Sequence, residues 1–355
     1  MNSSFMVFIS LIILLICRVR LNGKYIAALF TIAGFSLFGK NIYNSIPIFL
    51  GTFIYAKLHR FKFEMCLLPA LFGTALGPLV SEISFNLNLP LHIGIPLGIL
   101  SGIITGLILP PLSEHFKSFH KGYNLYNIGF TTGIIGTFAI AILRSCNVTV
   151  ETVYLISSGN NKSFLILLSI LFIFLFIWGL SLNKWSIKGY RTLLNMSDLT
   201  MNDYLSSFGT GLTLINMSFL GFITMIYVLL VGGELSGPVI GAIFTVIGFG
   251  AFGKNPKNVL PIMLGVFLSC LFTLHDTAST TILLAALFGT TLSPIAQVYG
   301  PIPGIIAGII HVSMVVNISY MHAGMNLYNN GFSGGFVAAT LVPLLDAFIC
   351  HRNAK

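Results

Sequence analysis

Thirteen apolar runs separated by short polar turns make up most of this chain. A transmembrane helix needs about 20 such residues, and several runs approach that length. Four runs are short, namely 25–39, 43–58, 236–252 and 258–274. Each pair of them forms either thin tilted helices or a hairpin that does not cross the membrane. The runs cover residues 3–19, 25–39, 43–58, 64–84, 92–112, 121–144, 164–182, 212–231, 236–252, 258–274, 278–297, 299–320 and 323–349. The pattern predicts an all-α integral membrane protein with about 13 transmembrane segments, some short or broken.

Composition excludes a water-soluble body. The 355 residues are 55% hydrophobic and only 8% charged, whereas soluble domains are about a quarter charged. The net charge of +9 resides in short loops between apolar runs, as the positive-inside rule predicts, so we expect no nucleic-acid partner. The five cysteines have no metal-binding spacing, and we expect neither a metal nor a cofactor.

An eleven-residue motif occurs twice. HKGYNLYNIGF at 120–130 returns as HAGMNLYNNGF at 322–332, with eight identities in register. Apolar bias cannot align His, Asn, Gly and Tyr in this way, so the chain is predicted to be a duplication.

Two further segments repeat in the same order. TIAGFSLFGKN at 31–41 matches TVIGFGAFGKN at 245–255, and ALFGTALGP at 70–78 matches ALFGTTLSP at 286–294. The predicted organisation is repeat 1 at residues 1–145, a linker with one transmembrane helix at 146–211, repeat 2 at 212–350 and a cytoplasmic tail at 351–355.

The basic residues predict the orientation. With thirteen crossings and the N-terminus outside, 15 of the 18 lysines and arginines lie in inside loops, which is a strong positive-inside bias. The copies then begin seven crossings apart, so an odd number inverts one relative to the other. We therefore expect two inverted six-helix repeats plus a linking helix in the cell (inner or plasma) membrane, with the C-terminus cytoplasmic.

The repeated Asn motif is a candidate solute path. Gly and Asn inside an apolar run indicate a loosened helix, which survives at membrane depth only when buried in protein or facing a watery cavity. The alternative is that the Asn side chains form interhelical hydrogen bonds. The candidate path residues here are Asn124, Asn127, Tyr126, Asn326, Asn329 and Tyr328.

The repeated Phe-Gly-Thr segment is predicted to break its span. Gly73 and Pro78, with Gly289 and Pro294, interrupt helical hydrogen bonding. Thr74 and Thr290 can then bond freed carbonyls or line the path. A proline kink with small-residue packing is the alternative.

The remaining repeated polar groups are Lys and His. Lys40 and Lys254 are expected to be interfacial side chains that extend toward the headgroups, with a pair of cationic vestibule residues as the alternative. His120 and His322 are candidates for gating or for helix capping.

No repeated carboxylate lies within the spans, so the residues favour a passive path over ion coupling. We find no enzymatic motif and expect no enzyme. The predicted function is a membrane channel or facilitator for a small solute or ion. A secondary active transporter with alternating access and a non-transporting scaffold are the alternatives, and the expected partners are the lipid bilayer, the solute and a second copy of the chain.

The repeated HxGxNLYNxGF motif and the closing GGFVAATLVPLLDAF resemble an uncharacterised bacterial membrane protein family of unknown function. A second, more distant resemblance is in layout. FGKNPKNVLPIMLGVFLSCLF followed by LLAALFGTTLSPIAQ resembles urea channels, which implies an inverted-repeat fold, often trimeric, that conducts a small neutral solute.

Overall fold

The first repeat folds into helices throughout its length. The structure is a computed structural model that describes residues 1–150 and 155–353, with side chains described to residue 348. The helices of the first half are α1 (Asn2–Ile16), α2 (Gly23–Phe35), α3 (Ile42–Leu58), α4 (Leu67–Gly73), α5 (Gly77–Phe85), α6 (Leu91–Phe119) and α7 (Asn127–Ser145).

The second half repeats this order after a linking helix. The helices are α8 (Asn161–Leu182), the short α9 (Tyr190–Leu194), α10 (Tyr204–Leu230), α11 (Gly237–Phe249), α12 (Pro256–Phe272), α13 (Thr280–Gly289), α14 (Ser293–Tyr299), α15 (Pro301–Ile318) and α16 (Asn329–Asn353). The helices of repeat 1 thus reappear as the C-terminal part of α10 and as α11 to α16. The predicted tail overlaps the end of α16, and residues 354–355 lie outside the described part.

Eight helical segments are long and apolar enough to cross a membrane. They are 63–85, 91–119, 127–145, 161–182, 204–230, 280–299, 301–322 and 329–348. The protein is therefore a multi-pass helical membrane protein. The other predicted crossings correspond to α1, α2, α3, α11 and α12, which have 15, 13, 17, 13 and 17 residues. These five are shorter than the ~20 residues of a full span.

The short helices form two hairpins with the same turn. Asn41 caps α3 by accepting a hydrogen bond from the Asn44 backbone N–H, and the Asn44 side chain accepts from the Asn41 N–H. Asn255 and Asn258 form the same capping box on α12. The two reciprocal bonds satisfy backbone donors that would otherwise be orphaned at a helix start, and they explain the repeated spacing of these Asn residues.

The two hairpins pack side by side in opposite directions. A Cβ added at Gly34 would lie 2.4 Å from the carbonyl oxygen of Gly241, and one added at Gly23 would lie 2.1 Å from that of Ala251. The end of α2 therefore faces the start of α11, and the start of α2 faces the residues just after α11. Glycine allows this close approach, as small residues do between membrane helices.

Each hairpin is anchored by an Asn on a neighbouring helix. Asn2 on α1 donates from Nδ2 to the carbonyls of Ser36 and Lys40, both at 2.7 Å. Asn216 on α10 donates to the carbonyls of Gly250 and Lys254 at 2.7 and 2.8 Å. The C-terminal part of α10 thus makes the same contact with its hairpin that α1 makes in the first half of the chain.

Each Phe-Gly-Thr segment interrupts its helix with a 3-10 turn. The turn covers Thr74–Leu76 between α4 and α5, and Thr290–Leu292 between α13 and α14. Pro78 and Pro294 lie in the first turn of the following helix, where a missing N–H costs least. The Thr74 hydroxyl donates to the Leu71 carbonyl at 2.7 Å, and Thr290 donates to that of Leu287 at 2.5 Å.

Candidate functional site

Six aromatic rings meet between the two repeats. The rings of Tyr126 and Tyr328 lie 4.8 Å apart between centroids. Tyr328 packs on Phe35 at 4.6 Å and Tyr126 packs on Phe249 at 4.8 Å. Phe72 and Phe288 complete the cluster, and each lies within 6.2 Å of one or both tyrosines. We call these six residues the central aromatic cluster. Each ring has its repeat counterpart in the same cluster.

Lys254 is fully buried beside this cluster. Its side chain is 0% exposed, and its Nζ donates to the Thr290 hydroxyl at 2.7 Å and to the Tyr126 hydroxyl at 2.5 Å. The ammonium also lies 4.4 Å from the centroid of the Tyr126 ring, a favourable position for a cation.

Lys40 is the counterpart of Lys254 and is 3% exposed. Its Nζ donates to the Thr74 hydroxyl and, at 3.5 Å, to the Leu71 carbonyl. The Tyr328 hydroxyl does not join it, because that hydroxyl pairs with Thr31 Oγ1 at 3.1 Å. Lys40 therefore has one hydroxyl partner where Lys254 has two.

The expectation that both lysines extend to the headgroups is wrong, since both turn into the protein. Among the side chains described, the one ion pair within 4.0 Å joins Lys121 and Asp346. Neither buried lysine thus has a carboxylate beside it in that part of the chain. Burying an ammonium is costly without a partner, and ionisable groups at membrane depth are functional candidates by default.

Asn124 and Asn326 bind the repeats to each other through reciprocal hydrogen bonds. Asn124 donates to the Gly331 carbonyl at 2.9 Å, and Asn326 donates to the Gly129 carbonyl at 3.1 Å. Each Oδ1 accepts from the backbone N–H two residues later, that of Tyr126 or Tyr328. These bonds match the interhelical alternative for the two Asn residues.

Each Oδ1 also accepts from a threonine hydroxyl, and the two threonines come from different positions. Thr291 donates to Asn124 at 2.5 Å, while Thr132 donates to Asn326 at 3.0 Å. The repeat counterpart of Thr291 is Ala75, and that of Thr132 is Gly334. In both cases, the Asn of one repeat therefore accepts from a threonine of the other repeat, but the two threonines are not at equivalent positions. Alignment of the repeats shows no identity at these positions, so sequence reasoning missed both threonines.

Asn127 and Asn329 orient the repeated histidines. His120 Nε2 lies 3.0 Å from Asn127 Oδ1, and His322 Nε2 lies 2.8 Å from Asn329 Oδ1. Asn127 Nδ2 donates to the Ser113 carbonyl, so its Oδ1 is the acceptor and His120 carries the proton on Nε2. The Nδ1 atoms of both histidines are buried without a partner among the described residues.

A cavity of about 550 Å³ lies on one side of the central aromatic cluster. Its wall includes several predicted path residues. Four residues belong to both the wall and the cluster: Phe72, Tyr126, Phe249 and Tyr328. Lys24, Lys117 and Lys121 also lie in the wall. The predicted residues brought together here are Asn124, Asn127, Tyr126, Tyr328 and His120. Thr74, Thr290, Asn326, Asn329 and His322 lie outside this wall.

Comparison with known proteins places the chain in one family. A family model described as protein of unknown function (DUF1576) matches residues 1–145 and 182–347, which is most of the chain. The protein belongs to this family, as the repeated motif led us to expect of an uncharacterised membrane family. No curated protein and no solved structure matches the chain, and the resemblance to urea channels stays a prediction.

Proposed function

We propose that the protein moves a small solute across the membrane along a path between its two repeats. The observation that carries this proposal is the cavity, because it is lined by polar groups and runs inward to the pair of tyrosines at the centre of the molecule. Its volume of about 550 Å³ falls in the range of small-molecule sites.

The reciprocal contacts support an inverted arrangement of the repeats. A pseudo-two-fold axis between Tyr126 and Tyr328 would exchange Asn124 with Asn326 and α2 with α11. Among the thirteen predicted crossings, 64–84 is the fourth and its counterpart 278–297 is the eleventh. Seven crossings separate them, and an odd number reverses direction across the membrane. Solute sites in inverted-repeat proteins lie near such an axis.

The basic residues in the cavity wall favour a cytoplasmic opening. Lys24, Lys117 and Lys121 belong to the loops that the positive-inside bias assigns to the cytoplasm. In this orientation of the cell membrane the N-terminus is outside and the C-terminus is cytoplasmic.

A carrier is favoured over an open channel by the central aromatic cluster. The six rings fill the space beyond the cavity floor, with neighbouring centroids 4.6 to 6.2 Å apart. Passage of a solute would require one repeat to move on the other. A carrier therefore shows counterflow, whereas an open channel does not.

Flux through proteoliposomes tests the proposal, with urea, glycerol, potassium, sodium and chloride as probes. Ile128 lies in the cavity wall on α7, and Ile128→Trp is expected to reduce flux of the transported probe at least tenfold. Ile142 is 65% exposed on the same helix, so Ile142→Trp is the matched control and should leave flux unchanged. Equal flux in the wild type and Ile128→Trp would refute the path.

A further inference from the structure

Lys40 lies at the inner end of a second, apolar crevice. The crevice has a volume of about 280 Å³ and runs between α1 and α3. Its sides are apolar side chains that include Met6, Ile9 and Phe49. Ile46 and Leu50 on its rim are 54% and 43% exposed, so the crevice opens on the surface that a bilayer would cover.

The wall of this crevice contains four polar side chains, those of Ser10, Lys40, Ser45 and Thr74. The Ser10 hydroxyl donates to the Met6 carbonyl at 2.8 Å. Ser45 is 3% exposed, and its hydroxyl has no hydrogen-bond partner in the described part of the chain. A buried hydroxyl without a partner costs free energy, as does an ammonium without a counter-charge. Both costs are removed by one ligand that brings a negative charge and an acceptor.

In the second repeat, the positions that correspond to two wall residues of the crevice are closed. Val259 and Met263 stand where the first repeat has Ser45 and Phe49, and they are 0% and 1% exposed. Both belong to the same core cluster as Phe172 of α8, a helix without a counterpart in the first repeat. The lone hydroxyl and the open space are thus specific to Lys40.

We propose that this crevice binds a long-chain fatty acid, with the carboxylate on Lys40 and Ser45 and the chain along α1 and α3. The charge of the lysine selects an anion, and the apolar walls select a hydrocarbon chain. The volume of about 280 Å³ lies below the usual range of small-molecule pockets, so it takes one chain rather than a two-chain phospholipid. One ammonium and one hydroxyl match the two oxygens of a carboxylate.

Palmitate is the probe that tests this site, with binding measured by native mass spectrometry and by calorimetry of the detergent-solubilised protein. Palmitate should bind the wild type at one site, and hexadecanol, which has the same chain without the charge, should bind roughly tenfold to a hundredfold more weakly. Lysophosphatidic acid tests whether the site prefers a phosphate headgroup on a single chain. If it binds as tightly as palmitate or more tightly, the choice of a carboxylate is overturned.

Lys40→Met is expected to weaken palmitate binding by a similar factor, because it keeps the length of the side chain and removes the charge. Ser45→Val introduces the residue of the second repeat and should weaken binding less. Unchanged palmitate affinity in Lys40→Met would overturn the proposal, as would equal affinities for palmitate and hexadecanol.

A variant that blocks the crevice gives an answer even if Lys40→Met does not fold. Ile9 lines the crevice, so Ile9→Trp should abolish palmitate binding. Phe8 precedes Ile9 on α1 and is 61% exposed, so Phe8→Trp should bind palmitate as the wild type does. Palmitate binding retained in Ile9→Trp would contradict the location of the site.

Discussion

Lys40 and Lys254 are the same residue of a duplicated motif, yet their surroundings differ. Lys254 is enclosed in the core and donates to both Thr290 and Tyr126. Lys40 donates to the Thr74 hydroxyl and the Leu71 carbonyl but to no tyrosine, and it borders an open crevice. The two copies of the motif therefore share the backbone that turns each lysine inward, while the positions around it differ. The shared contacts lie about the axis of the proposed inverted arrangement, and the differing contacts are specific to one copy.

The largest effect is expected where the two repeats agree. Asn124→Ala and Asn326→Ala each remove one donor and one acceptor that are buried between the repeats. Each should lower the free energy of unfolding by about 3 kcal/mol, because the groups paired with the Asn side chain each lose a buried hydrogen bond. Melting temperatures in detergent measure this effect.

A loss in both variants is the point of that measurement. The loss in Asn326→Ala should be the larger, because the Tyr126 N–H keeps a second acceptor, Thr291 Oγ1 at 2.9 Å, when Asn124 is removed. The hydrogen bonds of Asn124 and Asn326 are reciprocal in number and type. A loss confined to one variant would mean that the two repeats are not joined by equivalent contacts. If flux falls while the melting temperature is unchanged, the Asn residues line the path instead of joining the repeats.

A second prediction concerns the room for a larger side chain beside Lys40 and beside Lys254. Val259→Phe adds a ring where the core is closed, and such overpacking costs about 2 kcal/mol. Ser45→Phe adds the same ring beside the crevice and should cost less, since the ring can occupy open space. Equal destabilisation of the two variants in a melting experiment would show that there is no open crevice beside Ser45.

The smallest effect is expected at the Tyr328 hydroxyl, which we compare with that of Tyr126. Tyr126→Phe removes a partner from a buried ammonium and should destabilise by about 2 kcal/mol, the scale of a hydrogen bond to a charge. Tyr328→Phe removes a neutral bond to Thr31 and should cost about 1 kcal/mol. A larger loss in Tyr328→Phe than in Tyr126→Phe would contradict the assignment of Lys254 to Tyr126.

The helical class was accessible from sequence because it depends on local patterns. Apolar periodicity predicts helices, and identities at fixed offsets predict which helices correspond. The break at Gly73 followed from Gly and Pro in an apolar run, and the structure has a 3-10 turn there. The number of full crossings was less accessible, because helix length in the short hairpins depends on turns such as the Asn41 capping box.

The positions of the lysines could not be predicted from local sequence. A lysine after a Phe-Gly pair in an apolar chain is typical of an interfacial turn. What turns Lys40 inward is the distant carbonyl of Leu71 and the hydroxyl of Thr74, which only the tertiary fold brings near. The sequence signal for Lys40 and Lys254 was that both occur in a repeated segment, as do Thr74 and Thr290. Thr132 and Thr291 gave no such signal, because each has a different residue at its counterpart.

The difference between the two lysines is tested most directly by an electron cryo-microscopy structure of the protein in lipid nanodiscs. We predict elongated density in the crevice that ends at Lys40 Nζ, and continuous protein packing around Lys254. A Lys40 side chain directed to the headgroups, or matching density beside both lysines, would contradict this difference.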